Sequence, residues 1–408
     1  MKDFNLRGIC AIFAPLSTGD STANSATTTI ASTLHLLEPL VKQVFAITGN
    51  FPHSAVTTNK VQIIDVKAIS NLREPIPIRI LRFIILQLEI SYNLAKIASK
   101  IDVVFLAAGA STLFLPSLLA KLMRKRIIYL SPGTDALQRT TEVTYQKTLL
   151  GMGRRVFLPI VRVLERLNYY LADRVVVFQS ALSLSVLEGR GNKVFLNGSR
   201  FYVDVTSFRV ENDLGSRENI VGYVGRFEEI KGVMSFVKAI PLLSRKSMAS
   251  FLIGGDGSLR GEIEKRIKDT ELSERVTLTG WIPHDRLAQY LNRMKLLVIP
   301  SYTEVGPHLL FEAMACGTPV LATPVGVIPD VIKDGETGFI MENNSPECIA
   351  ENIIRALKHP RFQEIAGNAR ALIEKEYTYE AAVERYRKIL ETLYHWDRSL
   401  AFARVTER

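Results

Sequence analysis

Short apolar runs rich in β-branched residues recur along the whole chain, at 8–14, 43–48, 61–66, 102–108, 126–131 and 174–178, and again at 219–225, 249–255, 276–281, 296–301, 319–324 and 338–341. Stretches with helical or loop patterning separate them. Strands of this length alternating with helices predict parallel sheets covered on both faces. The expected fold class is α/β, with two Rossmann-like doubly wound domains facing a central cleft. The polar stretch "VTSFRVENDLGSRE" at 205–218, after a turn at "NGS", marks the boundary. This gives a first domain at 1–207, a second at 208–380 and a helical tail at 381–408, expected to pack back toward the first. In doubly wound sheets ligands bind beyond the carboxyl ends of the strands, so the chemistry is sought in the loops that follow them.

Composition fits this picture. A chain of 408 residues exceeds the size at which one core keeps growing. A content of 47% hydrophobic and 23% charged residues is that of a folded chain. Cys10, Cys316 and Cys348 are few and lack metal-ligand spacing, which fits a reducing, cytoplasmic setting and an inert packing role. The start "MKDFNLRGICAIFAP" reads as a first strand and not as a signal peptide.

Charge is distributed unevenly. Residues 1–207 carry 24 Lys+Arg against 13 Asp+Glu, so 24 − 13 = +11, whereas 208–408 carry 27 against 28, or −1. No nucleic-acid module or aromatic-interleaved basic ribbon accompanies the excess, so no nucleic-acid partner is expected. An anionic membrane surface fits better, and a soluble enzyme whose basic pocket takes a phosphorylated sugar as acceptor is the alternative. Residues 76–98 look at first like a spanning segment, but Arg79, Arg82, Glu89 and Lys96 interrupt the run and fall with Asn93 and Lys100 on one helical stripe. A helix packed on a sheet is the favoured reading over one lying in lipid. The segment 151–172 adds Arg154, Arg155, Arg162 and Arg166, and with Arg124, Lys125 and Arg126 these are the basic residues expected at such a surface, beside Phe157 and Leu158.

The second half concentrates the chemistry. In "SYTEVGPHLLFEAMACGTPV", 301–320, Pro307 suits the first turn of a helix, and Gly317 with Pro319 supplies its stop. Glu304 then lies ahead of the helix mouth and Glu312 beside its second turn, about 7.5 Å on from Pro307 at 1.5 Å per residue. The amides of His308 and Leu309, with the positive end of the helix dipole, make the mouth behind Gly306 a place for phosphate. An elongated ligand with a central diphosphate could touch one carboxylate at each end. "GYVGRFEEIKGV", 222–233, ends a strand with Gly225, which allows close backbone approach, and then places Arg226 and Lys231 to grip phosphate oxygens. The alternative is that both are solvated charges at a strand end. "IGGDGSLRGEIE" at 253–264 is read as a tight turn.

The motifs "VGRFEEIKG", "IGGDGSLR", "LTGWIPHDRLAQYL", "VIPSYTEVGPHLLFEAMACGTPVLATPVGVIPDVIKDGETGFIM" and "YTYEAAVERYRKIL" resemble the retaining nucleotide-sugar glycosyltransferases of family 4, with the two-lobed B-type fold. The likeness covers about 174–390. It implies that Glu312 holds the nucleotide ribose, that Glu304 contacts the donor sugar, and that Arg226 and Lys231 bind the diphosphate. Where many members have an aromatic and then glycine, this chain has "EVGPH". His308 either caps the helix mouth or reaches the sugar or phosphate.

The first half matches the family less closely. The place after the fourth strand, where members often carry a histidine, reads "FLAAGAST". No general base is assigned, since a retaining enzyme can pass the acceptor proton to its own leaving phosphate oxygen. Gly19, and Gly133 with Asp135, lie on loops after strands and either face the cleft or form plain turns. Neither a histidine-carboxylate cluster nor a paired-aspartate motif is present, so no metal and no cofactor beyond the donor substrate is expected. The implied reaction moves a hexosyl unit from a nucleotide diphosphate sugar to a carbohydrate or lipid-linked acceptor, as in glycolipid or cell-surface glycan synthesis. A nucleotide-sugar epimerase or a sugar phosphorylase of the same architecture, or a silent sugar-nucleotide binding protein, are the alternatives.

Overall fold

The computed structural model describes residues 6–16, 22–56, 58–67, 75–107, 109–131, 152–178, 193–195, 198–244, 249–269, 273–304 and 306–405. They form two compact units. One draws its described residues from 1–200 and 383–405, the other from 201–382.

In the first unit the strands are β1 Gly8–Ile12, β2 Gln43–Thr48, β3 Val61–Asp65, β4 Val103–Leu106, β5 Arg126–Ser131, β6 Arg174–Val177 and β7 Val194–Phe195. They are ordered β3-β2-β1-β4-β5-β6-β7, all parallel. Every apolar run read from the sequence in this half carries a strand. The exception on the other side is β7, whose two residues are too short to display a period. Helices Ile76–Ile97, Phe114–Leu122 and Met152–Leu171 connect successive strands from β3 to β6. Ile90 and Leu94 pack with Val104, Leu106, Tyr129 and Val175 in the core. The last helix, Tyr379–Val405, completes this unit: Tyr386 stacks on Phe105 at 6.4 Å, Arg385 donates to the Ser199 carbonyl at 2.7 Å, and Arg174 donates to Thr392 Oγ1 at 3.0 Å.

Two expectations for this unit need correction. The helix Ile76–Ile97 is not only a sheet-packing element with a polar stripe, because Ile78, Leu81, Ile84, Ile85, Leu88 and Tyr92 stand exposed on its far side. Lys125 and Arg126 are not exposed surface cations: Lys125 Nζ donates to the Ile101 carbonyl at 2.9 Å and Arg126 lies 3.5 Å from Asp173. Each is held by a group just ahead of a strand that flanks β5, Ile101 before β4 and Asp173 before β6. Arg124 and Arg166 are exposed, while the side chains of Arg154, Arg155, Phe157, Leu158 and Arg162 lie outside the described residues.

The second unit holds β8 Ile220–Val224, β9 Ser250–Gly254, β10 Val276–Gly280, β11 Leu296–Ile299, β12 Val320–Ala322 and β13 Phe339–Ile340, ordered β10-β9-β8-β11-β12-β13 and all parallel. Alternation along the strands divides them between two cores. Leu297 and Ile299 of β11 join Phe311, Ile328 and Phe201 on one face, while Leu296 and Val298 join Phe236, Phe251 and Ile353 on the other. The unit begins at Phe201, ahead of the polar stretch at 205–218, because that ring is fully buried and stacks on Phe311 at 5.3 Å.

Candidate active site

The strand order of the second unit reverses between β8 and β11, with β9 and β10 to one side and β12 and β13 to the other. At such a switch point the loops leaving two neighbouring strands diverge and leave a crevice beyond their carboxyl ends. Here those loops are 225–232 and, among the described residues, 300–304 with 306–307, which carry Arg226, Lys231 and Glu304. They are fastened to each other. Tyr302 donates its amide to the Ile230 carbonyl at 2.9 Å, and Gly232, with φ +70°, passes so close to the other loop that an added Cβ would lie 1.9 Å from the Pro300 oxygen. Asn344 Nδ2 donates to that same oxygen at 3.1 Å, and Thr323 Oγ1 to the Ser301 carbonyl at 2.6 Å.

This fastening brings two candidates together. Glu304 Oε1 accepts from Lys231 Nζ at 2.7 Å and from Ser301 Oγ at 2.8 Å, with the carboxylate nearly buried. Arg226 Nη1 donates to Glu228 Oε1 at 2.8 Å. Its carbonyl accepts from the Tyr223 hydroxyl at 2.9 Å, whose ionisation is pushed well up, first by burial and then by the charges of Glu304 and Glu228. Both candidate phosphate-binding cations therefore rest on carboxylates of the same pair of loops. An incoming diphosphate would compete with Glu228 for Arg226 and with Glu304 for Lys231. The loop after β9 closes the floor: Gly225 donates its amide to the Gly254 carbonyl at 3.0 Å, and Asp256 Oδ1 accepts from the Gly257 amide at 2.8 Å as part of a tight turn.

The helix after β11 runs His308–Ala315. Pro307 stands one place earlier than expected, as the N-cap: its ψ of 119° keeps it extended, and its carbonyl accepts from the Leu310 amide at 3.1 Å. The amides of His308 and Leu309 belong to the first turn, at the positive end of the helix dipole. Gly306 is required by packing, since a Cβ there would sit 2.1 Å from the Phe201 ring. The His308 ring meets that same phenylalanine edge-on at 5.2 Å, and Leu309 packs against the neighbouring core. Cys316 caps the helix end and Gly317 follows with φ +65°, as the stop signal predicts.

Glu312 is one helical turn inside. Its carboxylate is nearly buried and Oε1 lies 2.8 Å from Nε2 of His284, the first residue of the helix His284–Arg293. The imidazole side chain is mostly exposed, and its pKa is raised, first by the hydrogen bond to Glu312. The motif "LTGWIPHDRL" does not by itself assign a part to His284; the signal it carries is a histidine at a helix start after a strand. Gly19, Gly133 and Asp135 lie outside the described residues. After β4, where a histidine was sought, Ala107 and Gly109 are found, so no imidazole stands there. Among the described residues, no three His, Cys, Asp or Glu side chains group to hold a metal ion.

Two parallel doubly wound sheets, with a cationic switch point and a carboxylate-bearing helix in the second unit, define the class: an α/β protein of B-type glycosyltransferase architecture. Residues 204–391 match the family model described as glycosyl transferases group 1. N-acetyl-alpha-D-glucosaminyl L-malate synthase of Bacillus anthracis is 30% identical over 196 residues, 48% of this chain and 50% of the relative. Alpha-D-kanosaminyltransferase of Streptomyces kanamyceticus is 34% identical over 177 residues, 42% of this chain and 46% of the relative. The chain spans about half the length of the curated relatives it matches. Among solved structures, Anabaena HepE in complex with UDP aligns with a TM-score of 0.69 at 15% identity, covering 94% of this chain and 100% of the other. HepE in complex with UDP-glucose aligns at 0.65 and 16%, covering 94% and 99%. At such identity the likeness is one of fold.

Proposed function

We propose that the protein is a retaining hexosyltransferase of family 4, which moves a sugar from a nucleoside diphosphate donor to an acceptor hydroxyl. The observation that carries this reading is the pairing of Lys231 with Glu304 across the two loops at the switch point of the second unit, with Arg226 on the same loop as Lys231 and Glu304 just ahead of the helix that carries Glu312. The diphosphate would lie along that N-terminus, drawing Arg226 and Lys231 from their carboxylates, with Glu312 on the ribose and Glu304 on the sugar. HepE, of like fold, holds UDP-glucose, which makes a uridine donor the first to try. As the anomeric carbon–oxygen bond to the phosphate breaks, the acceptor oxygen bonds to the same face of the sugar and its proton passes to the departing phosphate oxygen. Charge on that oxygen would be balanced by Arg226, Lys231 and the helix amides, without a metal. The acceptor is a carbohydrate or a lipid-linked sugar presented at the cytoplasmic face of an anionic membrane, as the +11 of residues 1–207 suits.

A thermal-shift panel of nucleoside diphosphates and their sugars tests the donor. At a hundredfold excess over Kd a true ligand adds about 2.7 kcal/mol of stability, and no shift with any member would overturn the reading. Consumption of donor without acceptor would point to an epimerase or phosphorylase, and binding without turnover to a silent binding protein. Transfer should survive chelator, while Arg226→Ala and Lys231→Ala should each lower it about a hundredfold. Activity lost in chelator and restored by magnesium or manganese would sink the metal-free mechanism.

A further inference from the structure

The helix Ile76–Ile97 has three faces where a surface helix ordinarily has two. At 100° per residue, Leu86, Ile90, Leu94 and Ile97 form the stripe buried in the core, and Arg82, Glu89, Asn93 and Lys96 form a polar flank. The third face is apolar and open. Leu81 and Leu88 lie about 160–180° from Ile90, flanked by Ile84, Ile85 and Tyr92, and are 57% and 56% exposed.

This face does not stand alone. Strands β3 to β6 advance in one direction across the first unit's sheet, so right-handed crossovers place the three helices that join them on the same side. Phe114–Leu122 packs between the other two. Its Leu122 is 73% exposed, and Ile160, Val163 and Tyr170 are exposed on Met152–Leu171. Single exposed apolar residues are ordinary, whereas a patch spread over three adjacent helices marks an interaction surface.

Charge identifies the occupant. Lys96 Nζ sits 4.2 Å over the Tyr92 ring and Lys193 Nζ 5.9 Å over the Tyr170 ring, so each exposed tyrosine carries an amine at its side. Lys100, Arg124 and Arg166 are exposed in the same unit, which holds the whole positive excess of the chain. Apolar side chains with tyrosines and long basic residues around them suit the headgroup boundary of a bilayer, where the ring or the stem stays in the apolar layer and the polar tip in the headgroups. Among the described residues, no helix is long and apolar enough to cross a membrane.

We propose that this three-helix face seats the first unit in the surface of an anionic bilayer, with Leu81, Ile84, Leu88 and Leu122 entering the acyl boundary and Lys96, Arg124 and Arg166 meeting the headgroups. The inference rests on the acceptor side of the function proposed above, to which it adds the surface that reaches the lipid. Of the basic residues that the sequence offers for such a surface it keeps Arg124 and Arg166, and it adds the exposed apolar face of the helix Ile76–Ile97.

Co-sedimentation of the full chain with vesicles of equal parts phosphatidylglycerol and phosphatidylcholine tests it. Binding is expected at low salt and should weaken as the screening length shortens from about 10 Å to 3 Å. The triple variant Leu81→Glu, Ile84→Glu, Leu88→Glu should lose about tenfold or more, since three charged carboxylates cannot enter the acyl boundary. Circular dichroism and the UDP-induced thermal shift monitor folding and donor binding separately, so a protein that sediments but ignores nucleotides keeps this surface and loses the donor reading. Leu88→Trp, a mild change, should give a blue-shifted emission on adding the same vesicles. A wild-type chain that stays in the supernatant at low salt, or a Leu88→Trp emission that does not move, overturns the proposal. So does a dimer that the triple variant dissociates while vesicle binding is unchanged, because a second copy of the chain would then occupy the face.

Discussion

Glu304 and Glu312 differ in what a ligand must displace. Glu304 is held by Lys231 and Ser301, so Glu304→Ala frees a lysine as it removes the proposed sugar contact. The expected result is a bare nucleoside diphosphate affinity unchanged or higher, with turnover reduced. Glu312 faces His284, an exposed partner that a ribose could replace. Glu312→Ala should weaken nucleoside diphosphate binding by about 1.5–3 kcal/mol, the usual range for hydrogen bonds to a charged group. Calorimetry on the two variants separates the roles, and equal losses would contradict them. The His284 pair has a pH signature. Its pKa is raised in the folded chain, so its stabilising effect is complete below the ordinary imidazole value near 6.5 and disappears as pH rises through the folded value. The ring is mostly exposed, so the effect belongs with surface pairs, about 0.2–1 kcal/mol. Melting profiles of wild type and His284→Ala should converge above that titration and diverge below it.

At the scale of elements, the site depends on how closely two loops approach. Gly232 combines a left-handed φ with contact on the Pro300 oxygen, so Gly232→Ala carries both backbone strain and a backbone clash. A loss of about 2–4 kcal/mol is expected. Gly367, in the helix Phe362–Glu376, has open space around an added Cβ, and Gly367→Ala should raise stability by about 0.5–1 kcal/mol. Denaturant titration of both reads the contrast, and a Gly232→Ala chain as stable as wild type would remove the reason given for that glycine. Capping follows local chemistry elsewhere: Ser345 accepts from the Cys348 amide at 3.2 Å and Pro346 opens the helix Pro346–Leu357.

For the molecule as a whole, the chain's end belongs to its beginning. Tyr386, Ile389, Leu390 and Leu393 are buried on a helix whose residues from Val383 group with the first unit. At about 1.5–3 kcal/mol each, four such side chains amount to roughly 6–12 kcal/mol, comparable to the stability of a domain. A chain ending at Ala382 should therefore lose the cooperative unfolding of the first unit while the second still responds to UDP. Calorimetric scanning with and without nucleotide reads both transitions, and an unchanged first-unit transition would contradict the assignment. Buried thiols fit the absence of a role for cysteine: burial pushes Cys316 up to about 12 and raises Cys10 further.

Much of this was legible in the chain. Apolar runs located the strands because a strand buried on both faces needs nothing but apolar residues, and the stop at Gly317 was visible because φ of +65° favours glycine. The candidates Arg226, Lys231, Glu304 and Glu312 could be named because loops after strands and helix starts are local features. Their partners could not. Lys231 meets Glu304 across 73 positions and His284 meets Glu312 across 28, and such pairings depend on strand order, which periodicity leaves open. The helix Ile76–Ile97 makes the same point: its leucines and isoleucines are alike in sequence, and only the packed sheet decided that Ile90 and Leu94 would be buried while Leu81 and Leu88 would face outward. Sequence fixes which elements form, since that is decided within a few residues; which side chains meet is decided by the order in which those elements pack.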